Sequence, residues 1–179
     1  MPAALFMALS RSFVRASVTS TSVPADAIDH ANQLICADST DGMFVTLFYA
    51  QLDPTTGQMV YVNAGHNPPL LYRAKQEKLI KLTRTGMALG VFDGFVDISQ
   101  SEAHMDLGDF LLLYTDGVTE AMDMDKREFG EERLRRILLN TRQASAERMA
   151  EALEEAVTNF TGAASPSDDI TYLIVKRVS

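Results

Sequence analysis

Two segments decide the reading of this chain: Phe110-Leu111-Leu112-Leu113-Tyr114-Thr115-Asp116-Gly117 and Ser167-Asp168-Asp169-Ile170-Thr171-Tyr172-Leu173-Ile174-Val175. Each joins an aspartate turn to an apolar run of strand length. A carboxylate at the end of a buried strand is held rigidly at the rim of a sheet, where hard oxygen ligands can converge on Mg²⁺ or Mn²⁺. Asp116 and Asp168 are therefore the candidate metal ligands, with Asp169 the weaker candidate. They lie far apart in sequence, so only tertiary folding can join them. Two unpaired carboxylates at close range repel each other, and a cation would resolve that conflict.

Outward from these segments the chain changes period twice. Residues 1–42 read as two helices. The first spans 2–17, with proline in its first turn and Leu5, Leu9 and Phe13 at four-residue spacing. The second runs from Pro24 to about Ala37, with Ala27, Ile28, Ala31, Leu34 and Ile35 as its apolar face, and Ser17 to Ser22 is the polar linker between them. Residues 43–116 read as an antiparallel meander: 44–52 and 58–63 around the turn Asp53-Pro54-Thr55-Thr56-Gly57, then 70–72 with 78–82, and 96–103 with 109–114. Residues 117–179 return to helices over 131–140 and 145–160, with Ser145 as an N-cap, and end in a strand over 170–177. Helices, strands, helices and a last strand favour an α+β class over alternating βαβ units.

The composition is that of one ordinary soluble domain, with 179 residues, 46% hydrophobic and 22% charged. A net charge of −8 argues against general affinity for nucleic acid or acidic membrane surfaces, since both need a positive field. Cys36 is the single cysteine, so no intramolecular disulfide forms and a reducing cytoplasm is the expected compartment. It reads as a small buried residue. Arg11 and Arg15 interrupt the apolar start, which is neither a secretory signal nor a membrane span, and no other stretch is long and apolar enough for one. Arg11, Arg15, Arg133, Arg135 and Arg136 read as solvated helix faces, Gly86 and Gly90 as structural, and the methionines as core filler.

Five strings in order, Met1-Pro2-Ala3-Ala4-Leu5-Phe6-Met7-Ala8, Ala64-Gly65-His66-Asn67-Pro68-Pro69-Leu70-Leu71, Gly86-Met87-Ala88-Leu89-Gly90, Thr115-Asp116-Gly117-Val118-Thr119-Glu120-Ala121 and Asp168-Asp169-Ile170-Thr171, resemble the bacterial stage II sporulation protein E/RsbU type of serine phosphatase. This is a branch of the metal-dependent PP2C-like phosphatases. The resemblance implies a sandwich of antiparallel sheets flanked by helices, with a two-metal centre, Mn²⁺ or Mg²⁺, that positions water for attack on a phosphoserine or phosphothreonine. Asp116 matches the aspartate of the family's SDG or TDG motif and Asp168 the first residue of its D-[DN]-[IM]-T motif. His66 is either a partly exposed turn residue or a support to the metal's ligands. The implied partner is a phosphoprotein, an anti-sigma-factor antagonist in the closest analogy.

The same resemblance places the family's other metal-binding aspartates before the helix with which this sequence starts. The expectation is thus the C-terminal two-thirds of a catalytic domain, without its N-terminal strands, holding at most one weak metal site and having poor or no catalysis. Open sheet edges then favour a homodimer, by strand pairing or by exchange of the first helix. Two functions compete on this reading: a phosphoprotein phosphatase, and a non-catalytic phosphatase-like module that acts by dimerisation or partner binding.

Overall fold

The computed structural model describes residues 3–39, 42–92, 97–164 and 168–178. Along the chain run α1 (Ala3–Ser20), α2 (Pro24–Asp38), β1 (Leu47–Leu52), β2 (Gln58–Ala64), β3 (Leu70–Arg73), β4 (Lys78–Lys81), β5 (Ser101–His104), β6 (Phe110–Tyr114), α3 (Asp116–Thr119), α4 (Gly130–Thr141), α5 (Ala146–Thr161) and β7 (Tyr172–Lys176). The strands form two antiparallel sheets, ordered β1-β2-β5 and β4-β3-β6-β7. The class is α+β, as the order of periods requires. Two compact units divide the chain: Met1–Pro68 with Thr83–His104, and Pro69–Leu82 with Met105–Ser179.

The antiparallel strands read over 43–116 divide between two antiparallel sheets, the number the family resemblance implies. Pro68 and Pro69 cannot continue the ladder of β2, and the chain leaves the first unit there. β5 and β6, read as neighbours across the turn at 106–109, lie in different sheets. The strand expected from Val96 covers only Ser101–His104 among the described residues, and Val96 itself lies outside them. The first strand begins at Leu47 instead of Phe44. Phe44 is exposed, and Val45 makes an isolated antiparallel bridge to Leu89.

In the first unit, α2 starts on Pro24, whose missing N–H costs nothing at the first helical position. Ala27, Ile28, Ala31 and Ile35 recur on one face and are fully buried. Ile28 and Ile35 pack with Phe6 of α1 and with Val62, Ala64 and Leu89. The linker expected at Ser17–Ser22 is helical as far as Ser20, so three residues separate the helices. Hydroxyls explain part of this: Ser20 Oγ donates to the Ser17 carbonyl at 2.7 Å and Thr19 Oγ1 to Ala16 at 2.8 Å, so the polar side chains cap the last turn instead of opening it. Cys36 is half-buried, not buried, with Sγ 3.3 Å from the Phe92 carbonyl.

In the second unit, β6 is one of the two interior strands, between β3 and β7. Phe110, Leu112 and Tyr114 join Leu70, Tyr72 and the α4 and α5 residues Leu134, Leu138, Met149, Leu153 and Val157 in one core. Leu71 and Leu111, pointing to the other face, are also buried. Each fully buried leucine of this kind contributes about 1.5–3 kcal/mol. Ser145 caps α5 by accepting the Arg148 N–H at 3.3 Å. Lys176 of β7 donates Nζ to the carbonyls of Arg142 and Ala144, at 2.7 and 2.6 Å, and so closes the C-terminal end of α4; burial pushes its ammonium pKa down.

One buried charge organises the base of this sheet. Asp109, whose side chain is 1% exposed, accepts the Ala74 N–H at 2.7 Å and the Asp106 N–H at 2.9 Å and pairs with Arg73 Nε at 3.2 Å. Every partner is a donor, so the buried carboxylate is compensated from three sides. Asp109→Ala leaves two backbone N–H groups and Arg73 without that acceptor, and urea denaturation should show a loss of roughly 2–4 kcal/mol. Asp106→Ala, at an ion pair in contact with solvent, should cost less than about 1 kcal/mol.

Candidate metal centre

The two aspartate turns meet because β6 and β7 are hydrogen-bonded neighbours, with register running from Phe110↔Lys176 to Tyr114↔Tyr172. Beyond Tyr114 the ladder gains one more bond, from Thr115 N–H to the Thr171 carbonyl at 2.9 Å. The Thr115 hydroxyl then works in both directions. It accepts the Thr171 N–H at 3.1 Å and lies 3.2 Å from the Asp169 carbonyl and 3.4 Å from that of Thr171, either of which can take its single proton. Thr115 therefore ties the end of β6 to the turn that precedes β7.

Gly117 brings the turns closer still. A Cβ placed on it would stand 2.5 Å from the Asp169 carbonyl oxygen and 3.6 Å from Asp168 Cβ. The absence of a side chain lets the two backbones touch. Asp116 opens the short helix α3, its carbonyl accepting the Glu120 N–H at 2.8 Å and the Thr119 hydroxyl at 3.1 Å.

Both carboxylates are exposed. Each has one oxygen engaged by the next backbone N–H: Asp116 Oδ1 by Gly117 at 3.1 Å and Asp168 Oδ1 by Asp169 at 2.7 Å. These bonds fix the side-chain direction and leave acceptor capacity on each carboxylate. The donor set of two exposed, anionic oxygen ligands on touching turns fits a hard divalent cation that keeps most of its water. No group of three or more His, Cys, Asp or Glu side chains suited to a metal occurs among the described residues.

The other candidates have these surroundings within their own units. Asp169 contributes its carbonyl to the Thr115 latch. His66 belongs to the first unit, where its Nδ1 lies 3.3 Å from the Thr46 hydroxyl. The glycine before it is needed for a close approach as well as a turn: Gly65 has φ +74°, and a Cβ there would stand 2.8 Å from the Ala88 nitrogen. Asp123, next along from the first motif, is committed to its own loop. It accepts the N–H groups of Asp125 and Arg127 and the Arg127 guanidinium, and the Arg127 backbone bond is the first cause holding its carboxyl below the usual range. Arg133, read as a solvated helix residue, instead donates to the Phe129 carbonyl at 2.8 Å and lies over the Phe160 ring.

With this geometry in place, comparison with known proteins identifies the family. The family model for Stage II sporulation protein E (SpoIIE) matches residues 1–178. The chain belongs to the SpoIIE family. It is 31% identical over 121 residues to the phosphoserine phosphatase RsbU of Bacillus subtilis, a match covering 67% of this chain and 36% of RsbU. The SpoIIE-family chain thus spans about a third of that relative's length. Among solved structures it is similar to the SiaA-PP2C domain of Pseudomonas aeruginosa, with TM-score 0.84 and 20% identity over 97% of this chain and 69% of that one. It is also similar to the catalytic domain of the serine/threonine protein phosphatase PstP in complex with two manganese ions, with TM-score 0.64 and 17% identity over 96% and 81% of the two chains. These likenesses establish a PP2C-like fold.

Two residues of the centre escaped the sequence reading: Thr115, which appeared only as the letter before the aspartate, and Gly117, which appeared only as a turn former. The available signal was a hydroxyl residue at the end of each strand, Thr115 and Thr171. Thr115→Val should lower stability by about 1–2 kcal/mol in thermal or urea unfolding, because the Thr171 N–H loses its acceptor and the Asp169 or Thr171 carbonyl its hydroxyl donor. Thr115→Ser should retain most of it. Gly117→Ala should cost about 1–3 kcal/mol, since its methyl meets backbone, and should weaken Mn²⁺ binding with it.

Proposed function

We propose that this chain carries the metal-binding end of a metal-dependent serine/threonine phosphoprotein phosphatase of the RsbU/SpoIIE type. The observation that supports the reading most is the locked contact of the Asp116 and Asp168 turns at the end of the β6–β7 pair. Asp116 and Asp168 would hold Mn²⁺ or Mg²⁺, which when bound neutralises phosphoryl oxygens and makes its water a better nucleophile. The chain's own part is positional: Thr115 and Gly117 keep the two carboxylates in register, and the bonds from Gly117 and Asp169 orient them. His66 is included as a supporting residue on the strength of its motif. The substrate proposed is a phosphorylated protein, an anti-sigma-factor antagonist in particular, consistent with the phosphoserine phosphatase that RsbU is named for. A cytoplasmic site of action belongs to the same reading; no helix among the described residues is long and apolar enough to cross a membrane.

A second reading rests on a specific observation. The described residues hold no third metal-ligating side chain beside the pair, which suits a phosphatase-like module that binds partners without turnover. Hydrolysis of a phosphoserine peptide under millimolar Mn²⁺, with Mn²⁺ binding followed by electron paramagnetic resonance, separates the two. The phosphatase reading expects weak Mn²⁺ binding and slow Mn²⁺-dependent release of phosphate, well below about 1 s⁻¹. Asp116→Asn or Asp168→Asn should reduce both at least tenfold. Mn²⁺ binding without any hydrolysis would favour the module, and binding that is indifferent to both substitutions would remove the site.

Homodimerisation is the assembly we propose, because β1, β5, β4 and β7 each end a sheet among the described residues and an edge offers unpaired backbone groups. Light scattering at micromolar concentration should give twice 19.7 kDa, and a monomer at that concentration would count against it.

A further inference from the structure

The last rung that β6 and β7 share before the aspartate turns is the pair Tyr114↔Tyr172. Asp116 follows the first tyrosine by two residues, and Asp168 precedes the second by four. Residues directly opposite on paired strands point to one face of the sheet, and here that face carries α5. Tyr114 is buried in the core that Leu153 and Val157 of α5 complete, and Tyr172 is half-buried and packs against that core. The Tyr172 hydroxyl donates to the Ala150 carbonyl of α5 at 3.3 Å. A carbonyl inside a helix already accepts the N–H four residues on, and its second lone pair takes the phenol. Burial, and after it the charge of Glu154, holds this phenol above its usual pKa range, so it stays a proton donor.

From this geometry we infer that Tyr172 is a positioning residue for Asp168, fixing the entry of β7 against α5 so that the helix and the metal ligand move as one body. The inference rests on the metal-binding reading of Asp116 and Asp168. The Thr115 bonds reach Asp169 and Thr171 from the neighbouring strand, within the sheet. Bonds of that direction stop one strand sliding past the other, but they resist poorly the tilting of a turn out of the sheet plane. A contact across the sheet face has to supply that restraint, and the Tyr172 hydroxyl supplies it at the rung nearest Asp168. Ile170, two residues closer to the turn, is exposed and gives little backing there. A ligand carboxylate is only as well directed as the residues that hold its backbone. The coupling is reciprocal: what α5 does for ion binding at Asp168, a bound ion does for α5.

The test uses the whole 179-residue chain. Mn²⁺ binding is measured by electron paramagnetic resonance, and amide hydrogen exchange of α5 by mass spectrometry with and without Mn²⁺. Tyr172→Phe deletes one oxygen and keeps the ring in the core. It should raise the Mn²⁺ dissociation constant about threefold to tenfold, the range of one lost hydrogen bond, with an unchanged circular dichroism spectrum. Wild-type α5 should exchange more slowly once Mn²⁺ is bound, and Tyr172→Phe should abolish that difference, which a general loss of stability would not do. Tyr49→Phe, which removes from the first unit a hydroxyl that accepts from Gln51, should bind Mn²⁺ as the wild type does. Wild-type affinity in Tyr172→Phe while Asp168→Asn binds weakly, or α5 exchange indifferent to bound Mn²⁺, overturns the positioning role and leaves the metal site standing. Mn²⁺ binding that neither Asp116→Asn nor Asp168→Asn weakens removes the metal site and the positioning role together.

Discussion

The pairing of β6 with β7 is the interaction on which the second unit depends. β6 is apolar along its whole length and sits between β3 and β7, so its residues on both faces leave water, and the strand can occupy no edge position without exposing them. Register follows from that burial. A slip of one residue would turn Phe110, Leu112 and Tyr114 away from Leu134, Leu138 and Leu153. The same register delivers Lys176 to the end of α4 and Thr115 to Thr171. The position of the aspartate turns is thus a by-product of core packing, which brings their backbones together.

The candidate centre is polar because the ladder ends there. Within the strands, backbone groups are paired to one another. At Thr115 the strand gives way to α3, and a side-chain hydroxyl takes over the pairing across to Asp169 and Thr171. Beyond that point the carboxylates are in solvent, held only by the N–H of the following residue. Exposure limits how strongly they can retain a cation, while rigidity lowers the cost of arranging them around one.

The first unit shows a different balance. Its core is complete around α2, where Ala27, Ile28, Ala31 and Ile35 exclude water and the Asn32 side chain accepts the Gly90 N–H at 2.9 Å. Toward α1 the packing loosens into a groove with the unpaired hydroxyl of Ser10 and two arginines, Arg11 and Arg15.

The sequence by itself determined the class and the family, and it singled out Asp116 and Asp168 as candidates. Apolar period identified α2, α4, α5 and β6, because each has to bury a face, and the Asp53–Gly57 turn marked the β1–β2 hairpin, which closes through the Asp53 carboxylate on the N–H groups of Thr55 and Thr56. Strand partners were not legible in that way: a strand's apolar pattern records that it is buried but not against which neighbour, so β5 and β6 looked adjacent and are in separate sheets. The end of α1 was misread because serine and threonine favour both linkers and last helical turns, and their choice depends on which carbonyls are in reach. Likewise, nothing local distinguishes Thr115 from any threonine or Gly117 from any turn glycine. Their roles exist only because the β6–β7 register sets Asp169 against them, and that contact between distant residues was decided by tertiary structure alone.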